Sequence, residues 1–345
     1  MTMETKGSTT VTTAATAMPA HGHLAPRTFG RVGVLYGGRS SERDVSIRSG
    51  AAVLRALREA GVDAHEFDPA MHTLAELEAA RFDRAFCILH GRYGEDGAIQ
   101  GVLETLRVPY TGSGIRASAV AMDKPTTKEI WTAAGLPTPA WLQLARDDDV
   151  GAAFARCGAP EFAPGLVVKP AREGSSFGTS KVDAGDRPAF EAAVREAWKY
   201  DAQALIEERI VGRELTCAVL GEGADAQALP LVEICAPDAN YDYHNKYFGD
   251  RTEYRCPAPL DPALTQRIQA LCLRAYCAIG ARGWGRVDVM LREEADGAKP
   301  YLLEINTAPG MTDHSLVPMA ARVAGIPFPD LVLRILAGAR LELGT

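Results

Sequence analysis

Aliphatic runs closed by glycine alternate along this chain with polar turns and stretches of helical spacing. RVGVLYGG (31–38) is followed by SSERDVS and then IRSGAAVLRALREAG (47–61), a succession that predicts strand, tight turn and helix. The next aliphatic run, RAFCILHG (84–91), precedes RYGEDGAIQGVLETL, where Ile99, Val102, Leu103 and Leu106 carry helical spacing. VPYTGSG then closes a parallel α/β unit. Helical pattern resumes in SAVAMDKPTTKEIWTAAG (118–135), and the prolines of LPTPAW mark the passage into a second domain.

There, GLVVKP (165–170) and TSKVDA (179–184) read as strands joined by AREGSSFG, a glycine-rich hairpin suited to a flap. A helix over 187–200, a strand ALIEERI (204–210) and a hinge-like VGRE (211–214) follow. Further on come ELTCAVLG, ALPLVEI, a polar stretch around YDYHNKYFGD, a helix over 262–280 and two more strands, VDVM (287–290) and LLEINTAPG (302–310). The pattern is that of an α/β (α+β) chain with a parallel N-terminal unit.

The last two strands carry the candidate chemistry. Successive strand side chains point to opposite faces, so Glu304 and Asn306 emerge together while Leu303 and Ile305 turn into a core; Arg286 and Asp288 share a face by the same rule. Carboxylates and an amide are hard oxygen donors, suited to Mg²⁺ bridging protein to nucleotide phosphates. An exposed acidic strand face is the alternative for any one carboxylate. Three acceptors alternating with aliphatics favour a metal site at Asp288, Glu304 and Asn306, and with it phosphoryl chemistry.

Composition narrows the function classes. At 345 residues the chain exceeds the usual size of one core, so two or three domains of roughly 100 residues are expected. Net charge is −7 with dispersed basic residues, which argues against a nucleic-acid groove. Seven scattered cysteines, mostly in apolar runs, suggest reduced thiols and a cytoplasmic location; Cys272 and Cys277 lack a zinc-type spacing. No run of 18 apolar residues occurs, so no membrane span is expected. Residues 1–28 lack a signal-peptide core and read as a disordered tail, in which His21 and His23 are expected to be inert.

Lys169 ends a strand just before the glycine-rich hairpin, whose backbone N–H groups and Ser175 and Ser176 hydroxyls can cradle phosphate oxygens; Lys124 offers a second cation. Either lysine alone reads more readily as a solvated surface charge. No GxxxxGK[ST] loop is present, and GGRSSERD is not GxGxxG, so a different nucleotide fold is required.

MDK (122–124), VKPAREGSS (168–176), LIEERI with GRE, GWGRVDVM (283–290) and LLEINTAPGMT with HSLVPMAA occur in the order and spacing of the D-alanine–D-alanine ligases. From about Phe29 to its C-terminus the chain resembles that family, part of the ATP-grasp superfamily. The resemblance implies an N-terminal α/β substrate-binding domain (29–122), a central ATP-grasp subdomain with the Gly/Ser-rich flap (123–212), and a C-terminal subdomain with metal site and mobile loop (213–345). It implies ATP and two Mg²⁺ ions, with Mn²⁺ as a substitute, D-alanine as substrate, a homodimer, and D-alanyl-D-alanine as product for peptidoglycan precursors.

By the same resemblance, Lys124, Lys169, Ser175, Ser176 and Lys246 would contact phosphates, backbone around Glu207, Glu208 and Ile210 would read adenine, and Glu214 would hold the ribose. Asp288 and Glu304 would hold one metal, Glu304 and Asn306 the other. Glu42 would bind the first D-alanine's ammonium, with a helix N-terminal charge as its structural alternative. His90 would lie near that substrate's carboxylate or the acylphosphate, or serve structurally. Arg286, Ser315 and Leu316 would bind the second D-alanine, and Arg286 with the Gly310 N–H would form an oxyanion hole. Tyr247 would join Ser175 and Glu42 in a lid, and the Lys246–Tyr247 pair favours a dipeptide over an ester product. Departures from the family pattern are Ala171, Ala308 and His244; the last bears on loop closure and its pH dependence. The other readings are ligation with D-lactate or D-serine as second substrate, and a non-catalytic ATP-binding module.

Overall fold

Three sheets organise the chain. β1 (Arg31–Leu35), β2 (Asp63–Phe67) and β3 (Arg84–Cys87) pair in parallel in the order β2–β1–β3. β4 (Trp141–Ala145), β5 (Leu166–Pro170), β6 (Ser180–Val182) and β7 (Gln203–Glu208) form an antiparallel sheet ordered β4–β7–β5–β6. The third sheet comprises β8 (Arg213–Leu220), β9 (Gln227–Ala228), β10 (Val232–Cys235), β11 (Glu253–Arg255), β12 (Trp284–Arg292) and β13 (Lys299–Asn306), ordered β11–β10–β8–β12–β13 with β9 on β8. This is a computed structural model and describes residues 26–236, 252–295, 297–312 and 315–343.

Helix Arg43–Glu59 packs on the parallel sheet with Val53, Leu54 and Leu57 buried. Its core also takes in Leu316 and Val317 from helix Leu316–Val323 and Ile335 and Leu336 from helix Phe328–Ala337. Tyr110 and Arg340 exchange backbone hydrogen bonds at 3.3 and 3.1 Å, and the Glu342 carboxylate accepts the Ile115 N–H at 2.7 Å. Residues 340–342 thus close onto the segment that follows the first sheet. No single helix among the described residues is long and apolar enough to cross a membrane.

Local chemistry moves several predicted boundaries. The helix expected from 47 begins at Arg43, because its first turn is polar: Arg43 donates to the Gly38 carbonyl at 2.6 Å and to Asp68 at 2.7 Å. The helical stretch 118–135 is two helices, Ile115–Met122 and Lys124–Ala133, divided at Asp123, whose side chain accepts the Thr126 N–H at 3.0 Å. Pro125 is tolerated there because a first-turn residue needs no N–H partner within the helix. The span read as a tail includes the start of a 3-10 turn, Pro26–Phe29, that buries Phe29.

A further correction concerns Leu303. The β12–β13 register runs Asp288↔Glu304 and then Val289↔Leu302, so Leu303 is the extra residue of a bulge. Leu302 and Ile305 therefore face the core, and Leu303 stays half-exposed. Lys246, Tyr247, His244 and residues 1–25 lie outside the described residues.

Candidate active site

The bulge leaves the chemically important register intact. Arg286 stands opposite Asn306 and Asp288 opposite Glu304, so all four project from one face of the β12–β13 ladder. Arg286 Nε and Nη2 donate to the two Asp288 oxygens at 2.8 Å each, and Asn306 Nδ2 donates to Oδ2 at 3.3 Å. From β8, Thr216 Oγ1 donates to Asp288 Oδ1 at 2.6 Å, fixing the carboxylate from behind. Glu304 lies 3.7 Å from Lys124 Nζ. Two carboxylates and an amide on facing strands form an oxygen-only donor set that fits a hard divalent cation. Arg286 and Lys124 offset part of the negative charge of these carboxylates.

Three lysines approach this face from the central part of the chain. Lys169, at the end of β5, and Lys128, fully buried in helix Lys124–Ala133, each stand 2.5 Å from a Glu207 oxygen. Burial works against charge on all of these groups, but the lysine charges hold the Glu207 carboxyl below its usual range. For Lys169, burial is outweighed by Glu207 and Glu304, and its pKa rises. Lys124 has no such close partner, and burial pulls its pKa down. Its Nζ donates to the Glu173 carbonyl at 2.5 Å, placing it under the flap.

The flap is held by its backbone. Ser175 and Ser176 adopt φ of 49° and 61°, a left-handed conformation costing roughly 1–2 kcal/mol per L-residue. The turn brings the Ser175 hydroxyl onto Glu42, to which it donates. At Gly174 a Cβ would fall 2.4 Å from Glu42 Oε2, so a side chain there would displace the Glu42 carboxylate. Beside it, Arg172 donates to both Asp201 oxygens at 3.0 and 2.9 Å, while Arg92 bonds Glu173 at 2.9 Å and Asp201 at 3.2 Å. Burial would raise the Asp201 carboxyl, but the guanidiniums hold it below the usual range.

Glu42 precedes helix Arg43–Glu59, makes no side-chain cap, and accepts from the Ser175 hydroxyl. His90, buried after β3, meets the Ser49 hydroxyl at 3.3 Å; burial first, then the charge of Arg286, push its pKa down to about 4. Glu95 accepts the N–H groups of Gly91 and Ala308 at 2.6 and 3.1 Å, and burial together with the Glu42 charge raises its carboxyl. Glu95, Lys124, Glu173, Glu304 and Asn306 line one small cleft. A Cβ on Gly310 would sit 2.9 Å from Ser315 Oγ, which also accepts the Thr312 N–H at 2.9 Å. Leu316 turns away into the core.

The remaining predicted residues sit at the junction of the two antiparallel sheets. Glu207 is bonded to strands on both sides, and the Glu208 N–H donates to the Ala140 carbonyl at 2.8 Å. The Glu208 carboxylate pairs with Arg292 of β12. Ile210 is buried just past β7, and Glu214 lies in β8 opposite Ile234 and Met290. Sequence reasoning missed Lys128, Thr216, Glu95, Ser49 and the Arg92–Asp201–Arg172 cluster. A lysine one turn from Lys124, on the helix face that carries Trp131, was the available signal for Lys128.

A parallel α/β unit followed by two antiparallel sheets, whose lysines and oxygen donors meet under a serine-bearing flap, defines an ATP-grasp protein. Residues 62–113 match the family described as D-ala D-ala ligase N-terminus, and residues 130–337 that described as D-ala D-ala ligase C-terminus. The D-alanine--D-alanine ligase of Cupriavidus taiwanensis is 56% identical over 324 residues, covering 94% of this chain and 96% of the relative. That of Ralstonia pickettii is 54% identical over 321 residues, 93% and 94% of the two chains. The solved D-alanine-D-alanine ligase of Coxiella burnetii superposes with a TM-score of 0.74 at 30% identity, covering 90% of this chain and 94% of the other. This chain belongs to the D-alanine–D-alanine ligase family.

Proposed function

We propose that this protein uses ATP to join two D-alanines into D-alanyl-D-alanine, the dipeptide of peptidoglycan precursors. The observation that carries this reading is the single face shared by Arg286, Asp288, Glu304 and Asn306, with Lys124 between Glu304 and the flap.

Lys124 and Lys169 bind phosphate oxygens, exchanging their present carboxylate and carbonyl partners for those of the nucleotide. Ser175 and Ser176 cover the phosphates, and Ile210 and Glu214, past the end of β7, border the base and ribose. Asp288, Glu304 and Asn306 would hold Mg²⁺ or Mn²⁺, which would offset negative charge on the transferred phosphoryl group. Glu42 pairs with the first D-alanine's ammonium. That substrate's carboxylate attacks the γ-phosphorus, giving D-alanyl phosphate and ADP. The second D-alanine, its carboxylate held by Arg286 and Ser315, attacks the acyl carbon through its amine. The oxyanion is stabilised by Arg286 and the Gly310 N–H, and collapse breaks the C–O bond to phosphate while the nitrogen loses its proton. The Ser175–Glu42 contact closes the site to water, which would otherwise hydrolyse the acyl phosphate. Three domains divided near residues 122 and 212, and a homodimer, belong to the same reading.

The test is phosphate release from ATP and Mg²⁺ with D-alanine, L-alanine or no amino acid, with products identified by mass. Release confined to D-alanine with the dipeptide formed is the expected result. ATP binding without turnover under every condition would overturn it, and a D-lactate or D-serine product in direct competition would reassign the acceptor.

A further inference from the structure

The loop carrying the Gly310 N–H is gripped on both sides by side chains from the N-terminal part of the chain. On one side, Glu95 Oε1 accepts the Ala308 N–H at 3.1 Å while its Oε2 accepts the Gly91 N–H at 2.6 Å. On the other, the fully buried Ser49 hydroxyl accepts the Met311 N–H at 3.1 Å and meets His90 Nε2 at 3.3 Å. Ser49 Oγ lies 3.9 Å from where a Gly310 Cβ would stand. His90 is itself linked to the backbone of Ala308. Residues 308 and 311 are therefore pinned by acceptors from helix Arg43–Glu59 and from the loop after β3, with the Gly310 peptide between the pins.

We propose that Ser49 and Glu95 are positioning residues that set the direction of the Gly310 N–H toward the oxygen of the tetrahedral intermediate. An oxyanion donor acts only when aimed at where charge develops, and a glycine loop holds no such aim by itself. The two pins supply it from outside the loop. They also tie it to the chain that carries Glu42 and His90, so the first substrate and the donor share one frame. The proposal rests on the oxyanion reading of Gly310 given above.

Ser49→Ala and Glu95→Leu each remove the acceptor that pins the loop without touching the Gly310 peptide; leucine is used because a glutamine amide oxygen would still accept the Ala308 N–H. In the full-length chain, kcat for dipeptide formation, the Kd for ADP, and the Ki of a dipeptide analogue with a tetrahedral phosphinate in place of the peptide carbonyl are measured together. Each variant should lose about tenfold in kcat and weaken phosphinate binding by a similar factor, as expected for loss of one buried hydrogen bond, with ADP binding within about twofold of wild type. Unchanged kcat and Ki overturn the proposal, and so does a parallel loss of ADP binding, which marks a merely structural role. The two variants lie on opposite sides of the loop, so misfolding of one leaves the other as the test. A wild type that makes dipeptide yet ignores the phosphinate would instead count against the oxyanion reading itself.

Discussion

Lys128 and Lys169 converge on one carboxylate, their Nζ atoms each 2.5 Å from an oxygen of Glu207. Glu207 is thus shared between two lysines: burial lowers the Lys128 pKa, while Glu207 and Glu304 outweigh burial and raise that of Lys169. Lys128 thereby frees Lys169 from full neutralisation by Glu207, and Lys169 keeps charge to offer an anion.

Lys128→Met should be costly on both counts. Removing one member of a buried ionic cluster typically costs about 3–5 kcal/mol, so thermal unfolding should shift down by several degrees and KM for ATP should rise. A variant with unchanged melting temperature and unchanged KM would show that Glu207 and Lys169 need no third partner.

Asp201 ties the flap's Arg172 to Arg92 of the N-terminal part. Its folded pKa is depressed, so its stabilisation is full above the unfolded value near 3.8 and disappears as pH falls through the folded value. Asp201→Asn should therefore melt below wild type at neutral pH, with the gap closing in acid. Parallel melting curves from neutral pH to pH ~3 would contradict the assignment.

His90 behaves in the opposite sense to a charged histidine. Its pKa of about 4 lies below the ordinary 6.5, so the unfolded chain takes up the proton first and stability falls as pH drops between those values. The span corresponds to roughly 3 kcal/mol. His90→Gln should flatten the acid limb of stability over that window, and the His90 ring proton shift should stay at its neutral value at pH ~6. A ring that titrates near 6.5 would remove the basis for a neutral His90.

Much of this site was legible because strand alternation is a local rule. Arg286, Asp288, Glu304 and Asn306 could be placed on shared faces from spacing alone, and the structure adds that the two pairs sit directly opposite each other. The same rule failed at Leu303, since a bulge depends on the partner strand rather than on the residues that make it. Glu95 and Ser49 were illegible for a related reason: their partners lie far along the chain, at Ala308 and Met311, whereas Lys128 showed its helix face but not its partner Glu207. The split at Asp123 was readable, as an acidic residue two positions before a proline, but helical pattern on both sides masked it.

Arg286→Met tests the centre of the site. It removes both hydrogen bonds to Asp288 and, on the proposed mechanism, the cationic donor to the acyl oxygen. Loss of one such donor lowers kcat by about 10²–10³-fold, and steady-state dipeptide formation should fall by at least that much. A reduction confined to KM would assign Arg286 to ground-state binding alone.

The packing of helices Leu316–Val323 and Phe328–Ala337 against Val32, Val34 and Val53 carries a consequence for biosynthesis. Apolar surface of the first sheet and its helix waits for a cover that is synthesised long after it. The N-terminal part can pair its strands early, yet it gains its full core only once those two helices have emerged, so the nascent chain carries exposed apolar surface, and with it a risk of aggregation, until then.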